Sequence, residues 1–150
     1  MRRKVLVVED DPDQLEVTRM SLKAAGFAIG TAANGIDALR KAQTVAPDLI
    51  LLDVMMPGMD GFAVCETLRE DPTTASIPVL MLTGLCSHIS QLVAFDAGAT
   101  DYLIKPFVPE ELVSKVEKLL CRAERLQAYQ KQSKTKHFPA ALKTSASFGR

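Results

Sequence analysis

The sequence predicts an α/β fold, a parallel sheet of five strands with helices on both faces. Three observations carry this. Short aliphatic runs alternate with longer stretches of helical period. Gly, Pro, Asn or Asp punctuates most changes of period. The run Leu49-Ile50-Leu51-Leu52 ends on a single carboxylate, Asp53, ahead of the turn-forming Pro57, Gly58 and Gly61. Four aliphatic residues are too few for a buried helix and fit a strand covered on both faces. Asp53 then stands at the carboxyl end of a central strand, where open α/β sheets keep their sites, although Asp also serves simply as a turn cap.

The elements follow in order. Residues 4–8 form a buried strand. Asp11 is a good N-cap and Pro12 a good first helical residue. Leu15, Thr18, Met20, Leu22 and Ala25 give that helix an apolar face, and Gly26 fits its stop. Residues 27–31 form a second strand. Asn34-Gly35 breaks it, and Ile36, Ala38, Leu39, Ala42 and Val45 mark a second helix that Pro47-Asp48 ends. After the central strand, residues 61–69 form a third helix with Phe62, Val64, Cys65 and Leu68 inward. Residues 77–82 form a fourth strand, with Pro78 near its start as strands allow. A weaker helix covers about residues 87–97 and closes at Gly98. Residues 101–104 form a short fifth strand, broken by Lys105-Pro106. Pro109-Glu110-Glu111 opens a fifth helix with acids suited to its dipole. Right-handed crossovers lead to the flavodoxin-like order 2-1-3-4-5, with its switch point between strands one and three.

A chain of 150 residues suits one domain with a substantial core, and with 5% aromatics and no Trp that core must be aliphatic. No apolar run approaches the ~20 residues that span a bilayer. The basic start leads directly into a short strand and acids, unlike a signal peptide. A cytoplasmic location is expected. Cys65, Cys86 and Cys121 lack CxxC spacing and read as buried or half-buried thiols. His88 and His137 show no ligand spacing. Residues 1–130 hold 13 basic and 18 acidic residues, whereas residues 131–150 hold five basic residues and no acid. The body is acidic and the tail basic.

In the expected order, Glu9, Asp10 and Asp53 come from adjacent strand ends. Crowded carboxylates repel and raise one another's pKa unless a cation joins them. Carboxylates plus waters suit Mg²⁺. A dinucleotide site would need G-x-G-x-x-G here, and a P-loop Gly-Lys-Ser/Thr; neither is present. An acidic loop would also repel a flavin phosphate. Thr83 ends strand four with a hydroxyl, and Lys105 ends strand five with a cation. Carboxylate, metal, hydroxyl and ammonium together describe an anionic transfer site, with the carboxylate as candidate nucleophile and the metal and Lys stabilising the transferred charge as phosphoryl transfer requires. Each has a plainer reading: Asp11 as a helix cap only, Thr83 as a β-branched strand residue, Lys105 as a solvated charge. Agreement among four separate strand ends favours the site.

These residues carry a resemblance. Val7-Val8-Glu9-Asp10-Asp11, Leu52-Asp53-Val54-Met55-Met56-Pro57-Gly58-Met59-Asp60-Gly61, Leu82-Thr83-Gly84 and Gly98-Ala99-Thr100-Asp101-Tyr102-Leu103-Ile104-Lys105-Pro106-Phe107 resemble the receiver domain of two-component response regulators, over about residues 4–122. The resemblance implies that Asp53 accepts a phosphoryl group from a histidine kinase or histidine phosphotransfer protein. It implies that Glu9, Asp10, Asp53 and the backbone carbonyl of Met55 hold Mg²⁺. It makes Thr83 and Tyr102 switch residues and places Met55, Gly84 and Lys105 around the phosphate, with a cis Lys105-Pro106 bond. The face of helix four, strand five and helix five would change partner affinity. The chain would be a signalling switch that assists its own phosphorylation and dephosphorylation, not an enzyme acting on other substrates.

Departures from the family pattern matter. Gly84 stands where many relatives have Ala, and Met55 and Leu85 flank the site with apolar groups. Gln91 and Thr100 replace charges of a dimer face that retains Asp96, Asp101 and Lys115. A monomer or a phosphorylation-linked homodimer is expected. The domain is expected over residues 1–122. Residues 123–150 read as a helix-five extension or short coiled-coil linker followed by a basic, flexible tail from Lys131, without an output domain. Neither membrane association nor direct nucleic-acid binding is expected. The output would then be a separate protein target or a missing domain. The alternatives are a pseudo-receiver acting as a constitutive interaction module, or a receiver fragment of a hybrid kinase or multidomain regulator. An aspartyl phosphatase of the haloacid-dehalogenase type would carry a second Asp where Met55 stands.

Overall fold

The structure, a computed structural model, describes residues 2–85 and 87–135; Cys86 and the tail from residue 136, including His137, lie outside them. The order is β1 (Lys4–Val8), α1 (Pro12–Ala24), β2 (Ala28–Ala32), α2 (Gly35–Val45), β3 (Leu49–Asp53), α3 (Gly61–Glu70), β4 (Val79–Thr83), α4 (His88–Asp96), β5 (Asp101–Ile104) and α5 (Pro109–Thr135). All strand pairs are parallel, in the order β2-β1-β3-β4-β5. This is the flavodoxin-like doubly wound sheet expected from the sequence. The residues up to Leu120 form one compact unit, and a second begins at Cys121.

Side chains alternate across the sheet as a pleated strand requires. Leu6, Val8, Ile50, Leu52, Val79 and Met81 join one core layer with residues of α2, α3 and α4. Val5, Val7, Leu49, Leu51, Leu80 and Leu82 join the other with Leu22 of α1 and Leu112, Val116 and Leu119 of α5. β3 and β4 are buried along their whole length. Each therefore reads as an unbroken apolar run and not as an alternating one.

Local side-chain chemistry starts the first four helices. Asp11, Asn34, Asp60 and Ser87 each accept a hydrogen bond from a backbone N–H in the first turn. At the end of α1, Gly26 takes φ +98°. Its N–H donates to Lys23 O, and that of Phe27 donates to Leu22 O. This double closure uses Phe27 as part of the helix stop. β2 consequently begins at Ala28, one residue later than expected. β4 begins at Val79 and not at residue 77. The Ile77 N–H is already bonded to Thr74 O, and Pro78 has no N–H to give a ladder.

The apolar faces are narrower than composition suggested. Leu15, Thr18 and Leu22 lie on the packed side of α1, but Met20 and Ala25 are exposed. Ile36 on α2 is also exposed. Both helices meet the sheet through a single stripe, and these residues lie off it. Cys65 is buried, and burial pushes its thiol up to about 11. Cys121 is exposed, contrary to expectation, because it sits beyond the last core residues of α5, Leu119 and Leu120. The helix continues to Thr135, five residues into the stretch read as tail. No helix among the described residues is long and apolar enough to cross a membrane.

Candidate functional site

The carboxyl ends of β1, β3, β4 and β5 meet along one edge of the sheet. Register pairs Val8 with Leu52, Asp53 with Leu82, and Thr83 with Ile104. The residues that follow these pairs are therefore brought together. Glu9 and Asp53 are buried and Asp10 is exposed. One carboxylate oxygen from each of the three lies within 4.8 Å of the others.

Lys105 faces this cluster. Its Nζ is 3.3 Å from Asp53 Oδ1 and 3.8 Å from Glu9 Oε2. Its backbone N–H donates to Thr83 O at 2.7 Å, and the Lys105-Pro106 bond is cis. The Met55 N–H donates to Asp53 Oδ1 at 3.3 Å. Thr83 is buried, and its Oγ1 accepts from the Leu85 N–H at 2.8 Å. A Cβ added to Gly84 would meet nothing within 4 Å, so the space expected beside this residue is present.

Tyr102 lies farther along the β4–β5 edge. Its ring packs edge-on against Phe95 with centroids 5.5 Å apart, and Lys115 Nζ is 6.0 Å from its centroid. Lys115 is also 3.4 Å from Asp101, so these two charges pair within the chain. Thr100 is occupied internally as well, accepting from the Val79 N–H at 3.0 Å. The sequence-predicted residues Glu9, Asp10, Asp53, Thr83 and Lys105 thus share one edge, and Tyr102 flanks it.

One ammonium does not balance three carboxylates. Burial, then the close approach of the Asp53 carboxyl, pushes Glu9 up to about 8; Lys105 works in the opposite direction. Glu9 Oε2 is buried and has no hydrogen-bond partner among the described residues. A buried carboxylate oxygen without a hydrogen bond is costly, and the Lys105 ammonium near it, at 3.8 Å, lies closer to Asp53. The donors are oxygens alone, and Asp10 is open to water, which fits a hard divalent ion. The cluster can hold a metal.

A pH dependence follows. Between the ordinary carboxylate range and pH about 8, Glu9 is protonated when folded and ionised when unfolded. The folded state binds more protons, so its stability falls as pH rises through this window. Metal-free protein is expected to melt at a lower temperature at pH 8 than at pH 5. Millimolar Mg²⁺ should raise the midpoint more at pH 8, where it competes less with the Glu9 proton. Calorimetry with and without chelator checks this, and an equal Mg²⁺ effect at both pH values would contradict it.

Two contacts escaped the sequence reading. Gln14 Oε1 accepts from Lys105 Nζ at 3.0 Å, and Phe95 braces Tyr102. Gln14 lies 91 positions from Lys105, and no local pattern marks it.

The chain is similar to known proteins. The family model for the response regulator receiver domain matches residues 5–117. The DNA-binding dual master transcriptional regulator RpaA of Synechocystis is 43% identical over 130 residues, covering 87% of this chain and 54% of RpaA. The chain thus spans about half the length of that relative. The chemotaxis response regulator CheY4 of Vibrio cholerae superposes with a TM-score of 0.76 at 36% identity, covering 79% of this chain and 99% of CheY4. The signal receiver domain of a signal transduction histidine kinase from Syntrophus aciditrophicus gives 0.76 at 36% identity, covering 82% of this chain and 93% of that one. With the strand order and the match over residues 5–117, they establish that the chain belongs to the response regulator receiver domain family.

Proposed function

We propose that Asp53 accepts a phosphoryl group from a phosphohistidine on a histidine kinase or histidine phosphotransfer protein. One observation carries this: a buried carboxylate at 3.3 Å from an ammonium, inside a cluster that includes an orphaned buried carboxylate oxygen. In the transfer, the donor N–P bond breaks and an Asp53 O–P bond forms. The imidazole retains the electron pair of the broken bond. The Met55 N–H and the Lys105 ammonium orient the Asp53 carboxylate. Lys105 then follows the charge onto the phosphoryl oxygens, where a pre-placed cation is worth most. Mg²⁺ bound by Glu9, Asp10, Asp53 and the Met55 carbonyl would offset the carboxylate charge and neutralise phosphoryl oxygens.

Thr83 accepts from the Leu85 N–H, so its own proton remains available to a phosphoryl oxygen. Its inward movement would vacate space for Tyr102 and alter the α4–β5–α5 face, including the exposed Ile89, Leu92 and Phe95. The switch works only if a partner distinguishes the two states. The protein is then a cytoplasmic signalling switch that assists its own phosphorylation and dephosphorylation. The partner read by that face is a downstream protein or an output domain, and direct nucleic-acid binding is not part of this reading.

Beryllofluoride, a phosphoryl mimic, tests the assignment. It should bind only when Mg²⁺ is present and shift the NMR signals of Thr83, Tyr102 and α4 together. No shift under saturating Mg²⁺ would make the domain a constitutive interaction module instead.

A further inference from the structure

We propose that Gln14 is a positioning residue that holds the Lys105 ammonium ready for the phosphoryl group. The inference rests on the reading of Asp53 as acceptor and Lys105 as the accompanying cation. Gln14 Oε1 lies 3.0 Å from Lys105 Nζ, closer than Asp53 Oδ1 at 3.3 Å or Glu9 Oε2 at 3.8 Å. It is also the one neutral partner among the three.

The geometry explains the need for it. Lys105 carries its charge on a flexible four-carbon stem, unlike the planar fork of Arg. It projects from the segment after β5, and its side chain is 27% exposed. Two carboxylates attract the ammonium, and Coulomb attraction alone specifies its direction poorly. An amide oxygen from α1 gives the third N–H a fixed acceptor. The ammonium is then held from the segment after β1, from β3 and from α1 at once. Gln14 and Lys105 also line the same cavity of about 590 Å³, between Asp13, Val17 and Thr18 of α1 and the Pro106-Phe107 segment. The tether therefore lies on an accessible wall beside the acceptor. A carboxylate in place of the amide would add a fourth acidic group to an already crowded cluster. An amide accepts the hydrogen bond without that cost.

The test uses the full chain and two variants. In nitrogen-edited NMR of the lysine ammonium groups, Lys105 should give a slowly exchanging signal, assigned by its loss in Lys105→Met. Gln14→Leu, of similar volume but without an acceptor, should broaden that signal beyond detection. Gln14→Glu, which keeps an acceptor oxygen at the same reach, should retain it. With an acyl phosphate as small donor, Gln14→Leu should lower the second-order rate constant of Asp53 phosphorylation roughly fivefold, the loss of one hydrogen bond to a partly solvated charge. Its melting midpoint should stay within ~2 °C of wild type, as for other exposed substitutions. An unchanged Lys105 signal in Gln14→Leu overturns the inference, as does an unchanged rate. If the wild type accepts no phosphoryl group at all, the reading of Asp53 fails, and the ammonium spectrum still reports separately on the tether.

Discussion

Asp53→Ala is expected to take no label from a phosphohistidine donor, a loss of at least ~10³-fold, because the covalent acceptor itself is gone. Neighbouring carboxylates do not substitute for it. Glu9 is buried and, in the proposed reading, is occupied as a Mg²⁺ ligand. Asp10 is exposed. The Lys105 ammonium is 3.3 Å from Asp53 Oδ1. Asp53→Asn separates chemistry from folding. The amide keeps the volume and still accepts from the Met55 N–H and Lys105, while one charge leaves the crowd. Its metal-free melting midpoint at pH 8 should therefore equal or exceed that of wild type. Labelling of either variant at the wild-type rate would end the assignment.

Gly61→Ala is expected to destabilise the domain by about 2–4 kcal/mol, at the upper end of overpacking costs. A Cβ there would lie 2.6 Å from Asp53 O and 2.8 Å from Val54 Cα, both backbone atoms that cannot rotate aside. The Gly61 N–H also donates to Val54 O at 3.0 Å. Relief requires the β3–α3 segment to open, which breaks that bond and moves Asp53. The melting midpoint should fall by roughly 10 °C. Beryllofluoride affinity should weaken about tenfold in the folded fraction, since small misplacements of a reacting group are costly. Gly84→Ala is the control. Its Cβ would meet nothing within 4 Å, so its midpoint should match wild type. A wild-type midpoint for Gly61→Ala would show that the close approach is not maintained in solution.

Much of the domain was legible before folding. The caps at Asp11, Asn34, Asp60 and Ser87 act within one helical turn. Short-range hydrogen bonding is written in residue type and spacing. The runs at β3 and β4 announced strands buried on both faces. Once parallel order was inferred, Glu9, Asp10, Asp53, Thr83 and Lys105 had to share an edge, because each follows or ends a strand.

Where local signals compete, residue type alone does not fix the ends of an element. Phe27 has strand character, yet its N–H closes α1. Ile77 is β-branched, yet its N–H is spent on a turn before Pro78. Met20 and Ile36 are apolar, yet they lie off the stripe through which each helix meets the sheet.

The sequence by itself thus determined the alternation of elements, the strand order and the residues gathered at one sheet edge. These depend on periodicity, turn chemistry and the handedness of crossovers. Only the tertiary structure decided that Glu9 keeps an oxygen buried without a hydrogen bond among the described residues, that Phe95 braces Tyr102, and that Gln14 holds Lys105 from 91 positions away. Such contacts depend on how α1, the sheet and the segment after β5 dock in space. Neither a helical nor a strand repeat in the chain records that docking.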